Sequence, residues 1–346
     1  MLLKDYIPNV NKKYREIFFS GISYDSLKVK KGNIFFAIRG NKFDGNDFIQ
    51  DAIKKGAKII ITEKKFTKKK KNIIFLFTRN ARKLLSEISY KISDKKPRKL
   101  VAVTGTNGKS SVADFYFQIL NLNSKRVASI GTIGIKYNNI KRSLNNTTLD
   151  PIKLSNILKD LKKKKIDFVI MEASSHGLNQ NRLDGLSFNI GIFTNLSHDH
   201  LDYHKNMNDY LNSKLYLFKR LIKSRGNIIT DANIPQRDKI KNISIKKNIN
   251  LNLINEKQKG IELISHKFIN EKQLLEIKFK NKKYIFELGL IGKIQIKNIL
   301  MSILAANKSG IKFEKIINIL HKIKAVEGRL EKIGNIKNNS KVILDY

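Results

Sequence analysis

The chain has 346 residues, enough for two or three domains at about 150 residues each. Apolar residues make up 41% of it, no apolar run approaches the ~18 residues of a membrane helix, and Met1-Leu2-Leu3-Lys4-Asp5 does not open a signal-peptide pattern. Cysteine is absent, which excludes disulfides, thiolate metal sites and a cysteine nucleophile. The expectation is a cytoplasmic enzyme without membrane insertion.

Lys+Arg 69 against Asp+Glu 29 give a net charge of +40. A field of that sign attracts nucleic acid, anionic surfaces or anionic substrates. The excess is mostly lysine, spread along the whole chain beside many asparagines and isoleucines, and A/T-rich codons account for it as well as function does. The dense runs, Lys68 to Lys71 and Lys162 to Lys165, read as solvated faces.

In chain order, Ile34 to Ile38 reads as a strand, Phe48 to Lys55 as a helix stopped by Gly56, and Lys58 to Thr62 and Asn72 to Thr78 as strands. A helix from about Asn80 to Ile92 follows. The polar segment Ser93 to Pro97 then holds one of only four prolines and marks a domain boundary. A buried strand, Lys99 to Thr104, leads through a glycine turn into a helix, Lys109 to Leu122. Strand-like runs recur at Arg126 to Ile130, Phe168 to Met171, Ile190 to Thr194 and Asn227 to Thr230. The alternation predicts an α/β fold: a small N-terminal α/β domain over residues 1–95, then a doubly wound, mostly parallel sheet over 96–327. The lysine- and asparagine-rich stretch from about Lys239 to Phe286, with alternation such as Leu275 to Phe279, reads as an antiparallel addition. Helices are expected at Gln295 to Ser309 and Lys312 to Ile323, and a last strand at Lys341 to Tyr346. No internal repeat is visible.

The sharpest signal is Val101-Ala102-Val103-Thr104-Gly105-Thr106-Asn107-Gly108-Lys109-Ser110. An apolar strand enters a glycine loop, and a lysine and a hydroxyl open the next helix. Backbone N–H groups and the helix N-terminus suit phosphate oxygens, Lys109 suits β/γ-phosphates, and the Ser110 hydroxyl suits Mg²⁺. The loop is tighter than the usual G-x-x-x-x-G-K-[ST]. Glu172 ends another apolar strand, where a carboxylate typically reaches the nucleotide's Mg²⁺. Four of the six histidines fall between His176 and His204, a cluster whose chemistry alone suits zinc or manganese, since Mg²⁺ prefers oxygen.

Thr104 to Lys109 resembles the phosphate loop of the Mur ligase family, and the resemblance extends further. Ile170 to Leu178, with Ser174-Ser175-His176-Gly177, and Phe193 to His204 resemble two more signature blocks. The run from Asp25-Ser26 through Gly32 to Asp44-Gly45 is similar to the family's nucleotide-sugar domain. The resemblance covers nearly the whole chain in order. It implies ATP-dependent amide formation in peptidoglycan synthesis: a diamino acid, meso-diaminopimelate or L-lysine, joined to UDP-MurNAc-L-Ala-D-Glu through an acyl phosphate.

The same resemblance implies the site. Gly105, Thr106, Asn107, Gly108, Lys109, Ser110 and Ser111 would hold ATP, helped by Asn298, Arg329 and Asp345. Two Mg²⁺ ions are implied, on Ser110, Glu172, His200 and Lys214, with Lys214 carrying a carbamate (N6-carboxylysine). His176, His198 and His204 are expected to be structural. Ser26, Asn146, Thr147, Thr148, Ser174, Gln180 and Arg182 would contact the UDP-sugar peptide, and the guanidinium fork of Arg182 suits a carboxylate or pyrophosphate. Lys109, His200 and Lys214 are the catalytic candidates. Several positions depart from the family pattern: Leu27 replaces an arginine, Leu149 a proline or glycine, Ile294-Gln295 a Phe-Asn pair, and Glu327 a proline. Residues 328–346 are expected to begin a truncated C-terminal ligase domain, leaving this chain nearly inactive in ligation. It is expected to be a monomer.

Two alternatives remain. One is a sibling ligase such as folylpolyglutamate synthase, opposed by the Ser174-Ser175-His176-Gly177 block and the N-terminal unit. The other is a basic P-loop protein binding nucleic acid, for which basic and aromatic residues should interleave; they do not, so no nucleic-acid partner is expected.

Overall fold

A computed structural model describes all residues except 41, 66–71, 145, 257–259, 270–271, 337–339 and 346; the Lys68 to Lys71 run thus lies outside the described residues. The chain forms two compact units. Residues 1–94, 150–156 and 180–186 make the first, and 95–149, 157–179 and 187–346 the second.

The first unit is built on a four-stranded parallel sheet: β1 (Ile22–Ser23), β2 (Ile34–Ala37), β3 (Ile59–Thr62) and β4 (Ile74–Phe77), in that order. Side chains alternate across a strand, so a sheet buried on both faces needs apolar residues at every position. β2 meets that demand: Ile34 and Phe36 join one core with Leu3, Leu85 and Ile88, while Phe35 and Ala37 join another with Ile49 and Ala52. The helix Ala81–Ile92 is started by Asn80, whose side chain accepts the Lys83 N–H.

The second unit carries an eleven-stranded sheet. Its strands are β5 (Lys99–Thr104), β6 (Val127–Gly131), β7 (Gly134–Tyr137), β8 (Ile140–Arg142), β9 (Phe168–Glu172), β10 (Phe188–Phe193), β11 (Ile222–Asp231), β12 (Asn250–Ile254), β13 (Gly260–Ile269), β14 (Lys272–Phe279) and β15 (Lys282–Leu288). They lie in the order β15-β14-β13-β12-β11-β10-β5-β9-β6-β7-β8. Pairing is parallel from β6 to β13 and antiparallel at both ends. A separate antiparallel pair is formed by β16 (Glu331–Ile336) and β17 (Ser340–Leu344).

The helix Lys109–Leu122 covers the sheet beside the helix Lys293–Lys308. Phe115, Ile119, Leu300 and Ile303 join Val101, Ile170 and Ile192 in one core. Two buried hydrogen bonds tie these helices: Ser302 Oγ donates to Val112 O at 3.0 Å, and the Tyr116 and Ser309 hydroxyls meet at 2.8 Å.

Two expectations are corrected, and a third is extended. The stretch from Lys239 to Phe286 is not antiparallel throughout. It begins inside a helix, Arg237–Lys246, that buries Ile240 and Ser244 four residues apart, and continues as the parallel strand β12. Only from β13 onward is it antiparallel. The helix expected over Lys312 to Ile323 is a short helix, Phe313–Ile317, and then a single 3-10 turn, Leu320–Lys322. The final strand lies within a hairpin whose first strand, Glu331–Ile336, had no clear pattern in the sequence.

Because Phe115 is fully buried in that core, Phe115→Ala should lower the unfolding free energy of the second unit by about 3–5 kcal/mol. Denaturant titration of the variant checks this.

Candidate active site

In an open α/β sheet, ligands gather outside the carboxyl ends of the strands, where strand order reverses. Here the four central strands end level with one another. Thr104 of β5 pairs with Phe193 of β10, Val103 with Glu172 of β9, and Met171 with Ile130 of β6. A cavity of about 350 Å³ opens at these ends.

The loop from Thr106 to Ser111 lines that cavity. Gly108 caps the helix with φ +83°, and a Cβ there would overlap the Asn298 amide oxygen, so glycine is required on two counts. The Asn107 N–H donates to Asn195 Oδ1 at 3.0 Å, and Thr194 Oγ1 donates to Asn107 O at 2.6 Å. These bonds fix the loop from β10. Lys109 Nζ folds back onto the loop, donating to Gly105 O at 3.1 Å and Thr106 O at 2.6 Å. Burial pushes the Lys109 ammonium below its ordinary pKa, against the attraction of Glu172 and Asp199.

Glu172 is buried at the end of β9. Its Oε1 accepts from Ser110 Oγ at 3.0 Å and from the Thr132 N–H at 2.8 Å; its Oε2 accepts from Thr132 Oγ1 at 3.2 Å. Burial raises its pKa, opposed by Lys109 and by these donors. At Gly131 a Cβ would overlap the Glu172 carboxyl group, so the end of β6 must be glycine for the carboxylate to lie there. A hydroxyl and a desolvated carboxylate oxygen 3.0 Å apart suit a hard cation such as Mg²⁺. Among the described residues no group of three His, Cys, Asp or Glu side chains forms a metal cage.

Lys214 is 1% exposed, and its Nζ donates to Gly105 O at 2.7 Å while lying 4.1 Å from the centre of the Tyr210 ring. Burial, and then the charge of Lys109, bring its pKa down to about 6, which favours the neutral amine near pH 7. The Tyr210 hydroxyl meets Thr106 Oγ1 at 3.2 Å, which joins the Lys214 helix to the phosphate loop. His200 lines the same cavity, with backbone φ +53° and its ring against His176 at 4.9 Å and Tyr210 at 6.1 Å. His176, Tyr203, His204 and Tyr210 pack ring on ring behind it.

Asn298, Arg329 and Asp345 also line the cavity. Asn298 Nδ2 donates to Gln295 Oε1 at 3.0 Å, Gln295 Nε2 to Arg329 O at 3.3 Å, and the Leu330 N–H to Asp345 Oδ1 at 3.3 Å.

Of the proposed substrate contacts, Thr147 and Ser174 line the cavity. Thr148 sits behind them: its Oγ1 donates to Glu172 O at 2.9 Å and accepts from the Ser174 N–H at 3.0 Å. Asn146 is exposed and does not line it. Ser26, Gln180 and Arg182 belong to the first unit. There Arg182 Nε and Nη2 donate to Gln180 Oε1 at 3.1 and 2.7 Å, and Ser26 is buried in a 3-10 turn, Ser26–Lys28. Thr132 and Tyr210 escaped the sequence reading. Thr132 follows an apolar strand at its carboxyl end, a position that could have flagged it; Tyr210 carries no comparable signal.

The profile of the Mur ligase middle domain matches residues 103–306, and that of the Mur ligase family catalytic domain matches residues 19–100. The chain is 36% identical over 346 residues to the UDP-N-acetylmuramoyl-L-alanyl-D-glutamate–2,6-diaminopimelate ligase of Rickettsia conorii, covering 98% of this chain and 70% of that protein. Against the ligase of the same name from Buchnera aphidicola subsp. Schizaphis graminum the identity is 38%, over 95% of this chain and 68% of the other. A solved structure of a ligase of that name superposes with a TM-score of 0.84 at 24% identity, covering 97% of this chain and 69% of that one. A MurF ligase from Thermotoga maritima in complex with ADP shares the fold, with a TM-score of 0.61 at 19% identity over 91% of this chain and 68% of its own.

Lys214 also makes stability depend on pH. Between its folded pKa of about 6 and its ordinary value of 10.5 the unfolded chain binds the extra proton, so folding becomes more favourable as pH rises through that window. In CO₂-depleted buffer the stability of the unaltered chain relative to Lys214→Met should therefore rise from pH 7 to 9, by up to about 1.4 kcal/mol per pH unit. Denaturant midpoints at three pH values test it.

Proposed function

The chain belongs to the Mur ligase family, and from that premise we propose that it joins a diamino acid to UDP-MurNAc-L-Ala-D-Glu with cleavage of ATP, as a step in peptidoglycan synthesis. 2,6-Diaminopimelate is the amino acid in the names of its Rickettsia and Buchnera relatives and is the proposed co-substrate; L-lysine is the competing one. The observation that carries this reading is the convergence of the loop 106–111, Glu172, His200 and Lys214 on one cavity.

The terminal glutamate carboxylate attacks the γ-phosphorus, the bond to ADP breaks, and an acyl phosphate results. The incoming amine then attacks the acyl carbon and phosphate leaves. The main demand in such a transfer is stabilising charge on the phosphoryl oxygens. Lys109 answers it with a desolvated ammonium, which a bound phosphate would hold in the charged form. Ser110 and Glu172 are the proposed Mg²⁺ ligands, with His200 and Lys214 serving a second ion; bound magnesium would neutralise phosphate oxygens. A neutral lysine amine adds to CO₂ to give a carbamate and release a proton, and burial supports that role for Lys214. Asn298, Arg329 and Asp345 are assigned to the nucleotide. Ser26, Asn146, Thr147, Thr148, Ser174, Gln180 and Arg182 are assigned to the sugar peptide.

The test supplies ATP, Mg²⁺, UDP-MurNAc-L-Ala-D-Glu and either diaminopimelate or L-lysine, and reads ADP and the amide product by mass. ADP release that depends on the sugar peptide is expected. Lys109→Ala should weaken ATP about 10- to 100-fold, the weight of a charged hydrogen bond, while leaving sugar-peptide affinity intact by calorimetry. Equal loss of both affinities, or ADP release stimulated by folates instead, would count against the assignment.

Lys214→Ala should lose most sugar-peptide-dependent ADP release and regain part of it with short carboxylic acids. A carbamate carbon signal from ¹³CO₂ should be present in the unaltered chain and absent from this variant. Full activity in Lys214→Ala would remove the carbamate from the scheme.

A further inference from the structure

The helix that opens at Lys109 carries a second polar set that does not line the cavity. Asp114 and Gln118 stand one helical turn apart. Gln118 Oε1 accepts the Lys324 N–H at 2.9 Å, and Gln118 Nε2 donates to Lys324 O at 3.1 Å. One amide thus makes both bonds that a neighbouring strand would make. The same Nε2 donates to Asp114 Oδ2 at 2.7 Å, and the buried Asp114 takes Lys136 on its other oxygen. Gln118 is held as firmly as it holds.

What it holds leads directly to the cavity. Two residues past Lys324, Val326 is fully buried in the core. The Arg329 N–H returns to Val326 O at 2.9 Å, closing a turn whose last residue lines the cavity. Arg329 forms an isolated antiparallel bridge with Val326. The turn is also held by the Gly328 N–H, which donates to Glu331 Oε2 at 2.8 Å, by the Glu327–Lys141 pair, and by Gln295 Nε2, which reaches Arg329 O at 3.3 Å; Gln118 fixes the strand-like entry to it at Lys324.

We infer that Gln118 is a positioning residue for nucleotide binding: its paired hydrogen bonds to the backbone of Lys324 set the turn Val326–Arg329, and with it the place of the Arg329 guanidinium in the cavity. This rests on the nucleotide reading of the cavity given above. Gln118 is uncharged, so its loss leaves the electrostatic field unchanged. Lys324 is exposed, so its freed backbone groups can bind water and the fold should survive.

The experiment is a double-mutant cycle read by calorimetric titration with ATP. Gln118→Met, of similar length but without hydrogen bonds to give, should weaken ATP about fivefold, the weight of one ordinary hydrogen bond. Its affinity for the sugar peptide should stay as in the unaltered chain, while its melting temperature should fall by only a few degrees, the loss of its bonds to Asp114 and Lys324. Arg329→Ala should weaken ATP as well. If Gln118 acts through Arg329, adding Gln118→Met to Arg329→Ala should cost less than about twofold more, since coupled residues are not additive. An unchanged affinity in Gln118→Met, or a full second loss in the double variant, overturns the inference. Should Gln118→Met fail to fold, Gln118→Ala takes its place in the cycle, because it too is uncharged and removes the same bonds to Lys324. ATP binding absent from the unaltered chain would overturn the nucleotide reading and this inference together.

Discussion

Two lysines and one carboxylate are withdrawn from water around a single cavity. Burial acts on Lys109, Lys214 and Glu172 in the same sense, disfavouring each charged form. Desolvated charge is costly unless it is paired: Glu172 already accepts from Ser110 and Thr132, whereas the bonds of the buried Lys109 ammonium go to the neutral carbonyls of Gly105 and Thr106. An anionic ligand with several oxygens relieves that imbalance, and the proposed nucleotide phosphate chain has the required sign. The site is therefore arranged around the charge of what it is to receive.

Keeping such groups in place without their ligand requires a stiff surround. The phosphate loop is tied at Asn107 to Asn195 and Thr194, and at Thr106 to Tyr210. Glu172 is tied to Thr132 and Ser110. Each partner sits just past the carboxyl end of a central strand or on a helix beside it. The parallel sheet supplies that level edge, and its fully apolar strands, such as Val101 to Val103 and Ile190 to Ile192, keep the edge rigid from below.

The phosphate loop was legible because its chemistry is local: strand, glycines, lysine and hydroxyl lie within ten consecutive residues. Glu172 was legible because it ends an apolar run. Thr132 and Tyr210 were not, since each acts on a residue tens of positions away and neither type is unusual where it stands. The same limit applies to the fold. Two short segments, 150–156 and 180–186, return to the first unit, and no composition change marks them. The helix Arg237–Lys246 was obscured by lysines and asparagines that fit either periodicity. Ile240 and Ser244 are its only buried residues, too few to declare a helical stripe.

The way the sheet is wired also bears on the order in which it can form. In β14 and β15 the partners are near neighbours in sequence, with Phe279 paired to Lys282 across a two-residue turn at Lys280 and Asn281, both left-handed in φ. In the centre, Val101 pairs with Ile170 on one side and Ile190 on the other. Long closures carry more entropy cost and slow the search, whereas hairpins form in microseconds. The antiparallel arm should then be in place before the central strands meet. The cavity, which exists only where β5, β6, β9 and β10 end together, would be the last feature of the second unit to appear on refolding.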